Sequence, residues 1–242
     1  MSDVTSNPYE APKADVNAQA FSPGPAGSVE DAVAGRYDFE IGQVMSEAWD
    51  LTRGMKASFW GAGIIVYAII FGLALAAAAV SGKSIVLRGI TNVAAGAISP
   101  VLMMGIILMG IRRAAGLPIS ASTAFSCFDR AVTAIVAGFL TTVLTYVGLF
   151  LLIIPGLYLA IAYMMTIPLI ADRRFSPWQA METSRRAVGK RWFKFFGLLI
   201  AMGLVILASA IPLGIGLIWT APWSVNVFGV TYRRMFGVAQ AA

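Results

Sequence analysis

Apolar residues along this chain occur in long blocks that contain no charged side chain. Four such runs cover residues 57–82, 89–111, 131–171 and 195–232. About 20 consecutive apolar residues cross a bilayer as an α-helix, so the first two runs have room for one span each and the last two for two each. Solid apolar blocks also exclude a β-barrel, whose short strands alternate apolar and polar positions. The pattern predicts an all-α integral membrane protein with six transmembrane helices.

The two longest runs are each interrupted near the middle by a proline and a glycine. Pro155 and Gly156 interrupt the first of them, and Pro212 and Gly214 interrupt the second. Because these residues favour turns, we expect each run to fold back on itself as a helical hairpin. The six helices then form three hairpins. Four spans is the alternative, if these two hairpins are re-entrant.

An amphipathic segment precedes each predicted hairpin. The three segments cover residues 37–56, 117–132 and 173–197, and each mixes aromatic and aliphatic residues with charged ones. This composition is typical of helices that lie in the membrane interface, and we expect all three on the cytoplasmic face. In the third segment Ser176 and Gln179 fit a capping box, with Pro177 at the first helical position, so a helix is predicted to begin there. The shared order predicts three repeated units of interfacial helix and hairpin.

The two ends of the chain differ from the middle in composition. Residues 1–35 are rich in Pro, Gly, Ala and Ser, carry net negative charge and have little to bury. Such a composition predicts a disordered cytoplasmic tail. We expect the membrane domain to cover residues 36–234 and to be followed by a short C-terminal tail, 235–242.

Charged residues are scarce and unevenly placed. The chain of 242 residues is 58% hydrophobic and 12% charged, whereas a soluble domain is about 25% charged. With six spans, all 18 Lys and Arg residues except Lys83 and Arg88 fall on one side. Because basic residues concentrate in cytoplasmic loops, this places both termini in the cytoplasm.

Residues 173–197 hold the densest basic stretch, which predicts the main binding site. Basic residues near an anionic leaflet are attracted to it, and tryptophan settles at the headgroup level. The same charges could instead only set the topology, or bind a protein partner; nucleic acid is not expected. The predicted lipid- or partner-binding residues are Trp178, Arg185, Arg186, Lys190, Arg191, Trp192 and Lys194.

Little else in the sequence indicates chemistry. The chain has no histidine and one cysteine, Cys127, so neither a Ser-His-Asp triad nor an imidazole metal site is available, and we expect no enzyme, metal or cofactor. The carboxylates at 47, 50, 129, 172 and 182 lie close in sequence to arginines, which predicts ion pairs. Ala68, Gly72 and Ala76 repeat every fourth residue, which predicts close approach of a neighbouring helix.

Polar residues inside the predicted spans indicate either a solute path or hydrogen bonds between helices. No predicted span contains an ionisable side chain, which argues against a proton-driven transporter. The candidates for a path are Asn92, Ser99, Thr141, Thr142, Thr145, Tyr146, Thr220, Ser224 and Asn226.

The segment "IIPGLYLAIAYMMTIPLIADRRFSPWQAMETSRRAVGKRWFKFFG" resembles a signature of a loose group of bacterial multi-span membrane proteins. The group includes the membrane domain attached to some glycerophosphoryl diester phosphodiesterases and several families of unknown function. The resemblance implies the bacterial inner membrane; the chain has no phosphodiesterase domain, so that activity is not implied. The matching residues are Pro155, Gly156, Pro168, Trp178, Ala180, Ser184 and Trp192.

These observations together predict a non-enzymatic inner-membrane protein that engages anionic lipid or a membrane partner through a basic cytoplasmic helix. A membrane-protein partner or a second copy of the chain is possible in place of lipid. The alternative function is a transporter or channel for a neutral or lipid-like solute.

Overall fold

The computed structural model of the chain describes residues 26–81 and 84–239, which form helices and no strands. Two 3-10 turns, Ala121–Phe125 and Phe128–Arg130, lie between the fourth and fifth helices. The ten α-helices in the described residues are α1 Val29–Ala34, α2 Ile41–Leu51, α3 Lys56–Ser81, α4 Ile85–Ala114, α5 Ala131–Leu151, α6 Ile153–Ala162, α7 Thr166–Arg173, α8 Pro177–Lys190, α9 Trp192–Ala210 and α10 Leu217–Phe236.

Four helical stretches of the described chain are long and apolar enough to cross a membrane. They are Lys56–Ala76, Ala121–Leu151, Ile153–Arg173 and Trp192–Ala210. The sequence pattern predicts six, and the difference lies in α4 and α10. α10 carries threonine, asparagine and arginine among its apolar residues, because it packs at the centre of the molecule.

α10 is the central helix, and its main partner is α4. The two helices cross backbone to backbone at Gly110 and Gly229. A Cβ atom on Gly229 would lie 2.2 Å from the Gly110 carbonyl oxygen, and one on Gly110 would lie 2.4 Å from the Val225 carbonyl oxygen. Only glycine allows this approach, since a real Cβ would overlap the facing backbone.

Polar contacts hold the amphipathic helix α2 against α10. The Asn226 amide nitrogen donates to the Ala48 carbonyl at 3.4 Å and to the Thr52 hydroxyl at 3.3 Å. The indole nitrogen of Trp223 donates to the Met45 carbonyl at 3.0 Å. Because α2 places its buried side on protein, it is part of the helical bundle and not only a surface helix.

A buried ion pair fixes the C-terminal end of α10. Arg233 is 1% exposed, donates to the Ala114 carbonyl at 2.5 Å and pairs with Glu47 at 2.7 Å. Arg234 pairs with the other oxygen of Glu47 at 2.9 Å. The sequence predicts that Glu47 pairs with the nearby Arg53; its partners instead come from the far end of the chain. A buried arginine needs such a partner, because an uncompensated charge inside a protein is costly.

Part of the predicted N-terminal tail is folded. The Gly27 amide donates to the Arg233 carbonyl at 3.0 Å, and the Ser28 hydroxyl caps α1 by accepting from the Asp31 amide at 3.1 Å. Ala32 is fully buried, and α1 packs against α8 and α10. The prediction of disorder is therefore wrong for residues 26–35, while residues 1–25 lie outside the described part of the chain.

The C-terminal boundary also lies further along than predicted. α10 continues to Phe236, which is fully buried, and the Ala239 amide donates to the Asp172 carboxylate at 3.0 Å. Residues 235–239 thus belong to the folded body. Residues 240–242 lie outside the described part.

The three segments predicted as interfacial helices differ from one another. α2 and α8 lie within the first and third segments, but residues 117–132 form 3-10 turns where an α-helix is expected. Here Ser120 and Thr123 cap each other's backbone, and the Ser126 hydroxyl donates to the Thr123 carbonyl at 2.8 Å. These hydroxyls satisfy the backbone locally, which ends the helix after little more than one turn.

The small-residue face of α3 has no helix against it among the described elements. Ala68, Gly72 and Ala76 are exposed, and nothing lies within 4 Å of a Cβ placed on Gly72. The expected close approach of a neighbouring helix is therefore wrong within the described residues. Other glycines allow helices to cross closely, among them Gly110 and Gly229.

Candidate functional site

α8 begins where the sequence predicts. The Ser176 hydroxyl accepts from the Gln179 amide at 3.4 Å, and Pro177 occupies the first turn. One side of the helix packs on α5, α6 and α7, and its charged residues lie on the opposite side. α8 therefore presents Glu182, Arg185 and Lys190 away from the helices beneath it.

Ser184 joins α8 to the break between α6 and α7. Its hydroxyl donates to the Ala162 carbonyl at 2.7 Å and accepts from the Met165 amide at 3.1 Å. The Ala162 carbonyl and the Met165 amide lie at helix ends, where backbone groups lack partners within the helix. This bridge holds α8 alongside α6 and α7, with its C-terminal end near Tyr158.

The first two predicted arginines of α8 share one carboxylate. Arg185 contacts Glu182 at 2.8 Å, and Arg186 contacts the same carboxylate at 2.6 Å. Hydrogen bonds from Arg185 and then Arg186 lower the pKa of Glu182 to about 2. The two arginines and Glu182 together carry a net charge of about +1. Both arginines border a hollow that Gly189 and Lys190 also line.

Two of the remaining basic residues contact Asp38, which precedes α2. Lys194 donates a short hydrogen bond to this carboxylate, and Arg191 lies 3.4 Å from it. The hydrogen bond from Lys194 is the largest cause of a lowered pKa at Asp38. The third, Lys190, is exposed and makes no ion pair within the described residues. The three basic side chains therefore carry more positive charge than the one carboxylate offsets.

Trp192 is held at the start of α9 by aromatic contacts. Its indole nitrogen donates to the Tyr158 carbonyl at 3.3 Å, and its ring stacks on Tyr158 and on Phe196, with centroid separations of 6.4 and 5.2 Å. Trp178, by contrast, lies at the other end of α8 and is 68% exposed. The structure does not bring Trp178 to the same place as the other predicted site residues.

Lys190, Arg191, Trp192 and Lys194 line one cleft of about 900 Å³. We call it the basic cleft; its other lining residues are Ile154, Leu157, Tyr158, Gly189 and Phe193. Its apolar side is open, since Ile154 is 81% and Phe193 is 83% exposed. The cleft thus combines an apolar floor with a basic rim.

Sequence reasoning missed the residues that α6 and the segment before α2 contribute to this region. Ile154, Leu157 and Asp38 are far from α8 in sequence, and only tertiary contacts bring them close. Tyr158 carried a weak signal, because it is an aromatic residue just after a Pro-Gly turn and such side chains favour membrane interfaces.

The turn between α5 and α6 lies near the basic stretch. Tyr158 contacts Trp192, and a helix rises about 1.5 Å per residue, so Ile153 lies about 8 Å further along α6. The hydrocarbon layer of a bilayer is about 30 Å thick. The α5–α6 turn is therefore much closer to the Trp192–Lys194 segment than the thickness of the hydrocarbon layer. The turn and Lys194 cannot lie on opposite sides of a membrane.

Four of the nine polar candidates for a solute path form hydrogen bonds within the protein. Asn226 is fully buried and bonds α2, while the hydroxyls of Thr141, Thr220 and Ser224 donate to carbonyls in the preceding helical turn. Thr142, Thr145 and Tyr146 line a hollow of about 360 Å³ between α5 and α6. The side chains of Asn92 and Ser99 lie outside the described part of the chain.

No protein-family model, curated protein or solved structure matches this chain. The resemblance to the bacterial multi-span group therefore stays a prediction, and the four long apolar helices and the basic cleft are the observations from which function is argued.

Proposed function

We propose that this protein is a non-enzymatic protein of the bacterial inner membrane that holds an anionic phospholipid in the basic cleft. One observation carries the proposal: an exposed apolar floor lies directly beside three basic side chains. An anionic phospholipid has the same two parts, since its headgroup is negatively charged and its chains are apolar.

The floor suits an acyl chain. Ile154 and Phe193 expose most of their side chains, and Leu157 lines the same cleft. Covering apolar surface contributes about 25 cal/mol per Å² in water. In a membrane this gain is smaller, because lipid already covers the apolar surface. The floor therefore mainly determines where the acyl chain lies.

The rim supplies the selectivity for charge. Lys190, Arg191 and Lys194 outnumber Asp38, and each basic residue near an anionic leaflet contributes about 1 kcal/mol. Zwitterionic lipids lack the net charge that this rim attracts. We therefore expect phosphatidylglycerol or cardiolipin to be preferred over phosphatidylethanolamine.

The proposed placement in the membrane follows from the same cleft. Both termini lie in the cytoplasm in this proposal, because the basic residues cluster there. The α5–α6 hairpin enters and leaves the cytoplasmic leaflet, so that Ile154 meets acyl chains close to the headgroups that Lys194 contacts. This adopts the re-entrant alternative in place of a full crossing by α5 and α6.

The test is native mass spectrometry of the full chain after gentle extraction from its own membrane. Wild type is compared with a triple variant, Lys190→Gln, Arg191→Gln and Lys194→Gln. The matched control neutralises three other basic residues, Arg36, Arg53 and Lys56. We expect wild type and control to retain anionic lipid and the cleft variant to lose it, with similar thermal unfolding.

Equal retention in all three proteins would contradict the proposal and leave the cleft charges with a role in topology only. Retention of a protein of fixed mass instead of lipid, lost only in the cleft variant, would identify a membrane partner as the ligand.

A second candidate function is passage of a neutral solute. The observation in its favour is the hollow between α5 and α6, where Thr142 and Thr145 place hydroxyls in an otherwise apolar hairpin. Solute flux into vesicles that falls in Thr142→Val and Thr145→Val, but not in the cleft variant, would favour it.

A further inference from the structure

A second cleft, of about 840 Å³, lies where α4, the 3-10 turns, α7 and the C-terminal segment meet. Four arginines line it: Arg112, Arg130, Arg173 and Arg174. We call it the arginine cleft. It shares no lining residue with the basic cleft. Because three separate segments supply the arginines, no local pattern along the chain groups them.

The carboxylates at the arginine cleft do not balance its charge. Asp129 lies 3.3 Å from both Arg130 and Arg174, and Asp172 lies 3.9 Å from Arg173. Four guanidinium groups therefore face two carboxylates. Like charges brought together repel one another, and an anion in the cleft would relieve this repulsion.

Two of the four arginines are used by the fold. Arg130 donates to the Ala171 carbonyl, and Arg173 donates to the Phe236 carbonyl, so both hold backbone segments together. The other two are available to a ligand. Arg112 makes no hydrogen bond or ion pair within the described residues, and Arg174 is 69% exposed and pairs only with Asp129.

The backbone at Arg174 is also unusual. It ends α7 in the left-handed region, with φ 57° and ψ 33°, and its amide donates to the Ile170 carbonyl at 3.2 Å. Glycine normally occupies this position, and a side chain there costs about 1–2 kcal/mol. A side chain kept at such a cost beside a cleft is an indication of function.

We infer that the arginine cleft binds a phosphate group, either a phosphate ester of a lipid headgroup or a soluble phosphate compound. Guanidinium groups present parallel N–H donors that match two phosphate oxygens, and they do so better than lysine. Arg112 and Arg174 contact the phosphate in this proposal.

The experiment measures phosphate binding by phosphorus NMR, with the full-length protein in a zwitterionic detergent. Inorganic pyrophosphate is the soluble probe, and nanodiscs with and without phosphatidylglycerol supply the lipid source. The test variants are Arg112→Gln and Arg174→Gly, separately and together. The control is Arg53→Gln, because Arg53 lines neither cleft.

For a soluble ligand, we expect wild type and Arg53→Gln to bind pyrophosphate and the double variant to bind it at least tenfold more weakly. For a lipid headgroup, we expect the double variant to retain less phosphatidylglycerol than wild type, with no difference in pyrophosphate binding. Arg174→Gly should unfold at the same temperature as wild type or higher, because glycine relieves the backbone, so its loss of binding cannot be attributed to unfolding.

Equal binding of both probes by wild type and the double variant would overturn the inference. Because the basic-cleft triple variant and the arginine variants alter different clefts, failure here is distinguishable from failure of the proposed lipid site.

Discussion

Asp38 acts at the basic cleft as an internal counter-ion. Its carboxylate contacts Lys194 and lies 3.4 Å from Arg191, where it offsets charge that a lipid headgroup could otherwise meet. If the rim binds anionic lipid, the headgroup and Asp38 compete for the same cations. The role of this one residue is therefore testable by removing its charge.

We predict that Asp38→Asn increases retention of anionic lipid. One added unit of net positive charge contributes about 1 kcal/mol, which is about a fivefold change in affinity. Native mass spectrometry across a phosphatidylglycerol titration measures it. Asp31→Asn is the matched control, since Asp31 pairs at 2.8 Å with Arg36 outside the cleft. Reduced or unchanged retention in Asp38→Asn would count against competition at the rim.

Glu182 should keep its arginines paired in mild acid. Its pKa is lowered from 4.5 to about 2, so the contribution of these pairs to stability is fully present above pH 4.5 and is lost as the pH falls through 2. Between pH 7 and pH 5, Arg185 and Arg186 therefore remain paired with the ionised Glu182 carboxylate. We predict that Glu182→Gln retains more phosphatidylglycerol than wild type, and by the same amount at pH 7 and at pH 5. If the two proteins retained equal amounts at pH 5, Glu182 would already be protonated at that pH.

At the scale of helices, the crossing of α4 and α10 determines how the central helices pack. Gly229 faces the Gly110 carbonyl so closely that a methyl group has no room. Overpacking of this kind costs about 1–3 kcal/mol or more. The same substitution on the exposed face of α3 meets nothing, because Gly72 has no neighbour within 4 Å.

We predict that Gly229→Ala lowers the Tm of the detergent-solubilised protein by at least about 3 °C, while Gly72→Ala leaves it unchanged or slightly raised. The expected rise has a simple cause, since alanine favours the helix more than glycine does. Equal effects of the two substitutions, measured by thermal unfolding of the full chain, would show that the helices do not cross at Gly229.

Local sequence signals predicted some elements well and others poorly. The start of α8 was predictable because Ser176 and Pro177 act on their own helix. α1 was not, since its short helix is stabilised by contacts of Gly27 and Ala32 with distant elements. α10 looks like an ordinary membrane span in sequence, yet its polar residues mark it as the buried centre.

The candidate site divides in the same way. The basic rim at Lys190, Arg191 and Lys194 was predictable from charge density alone. The apolar floor at Ile154 and the counter-ion Asp38 were not, because hydrophobicity and charge along a chain do not say which segments meet. The arginine cleft is hidden for the same reason: its members are far apart in sequence.

For the whole molecule, two contacts bear on how the chain sits in a membrane. Tyr158 lies against Trp192, and the Lys56 ammonium lies 4.9 Å from the centre of the Trp219 ring. Each contact joins a residue just past a hairpin turn to a basic segment predicted in the cytoplasm. Both later hairpins therefore fit the proposed re-entrant placement, while the Lys56–Ala76 stretch of α3 is long and apolar enough to cross fully.

This placement predicts which turns can be labelled from the side opposite the basic clefts. In a Cys127→Ser background, we expect Ile85→Cys, at the start of α4, to react with a membrane-impermeant maleimide applied from that side. Leu152→Cys and Leu213→Cys, at the two later turns, should not react from that side, because re-entrant hairpins place both turns in the cytoplasmic leaflet. Trp178→Cys should react only from the cytoplasmic side. Six full spans would instead expose residues 85, 152 and 213 together, so labelling of Leu152→Cys at the rate of Ile85→Cys would rule out the re-entrant hairpin and the lipid position built on it.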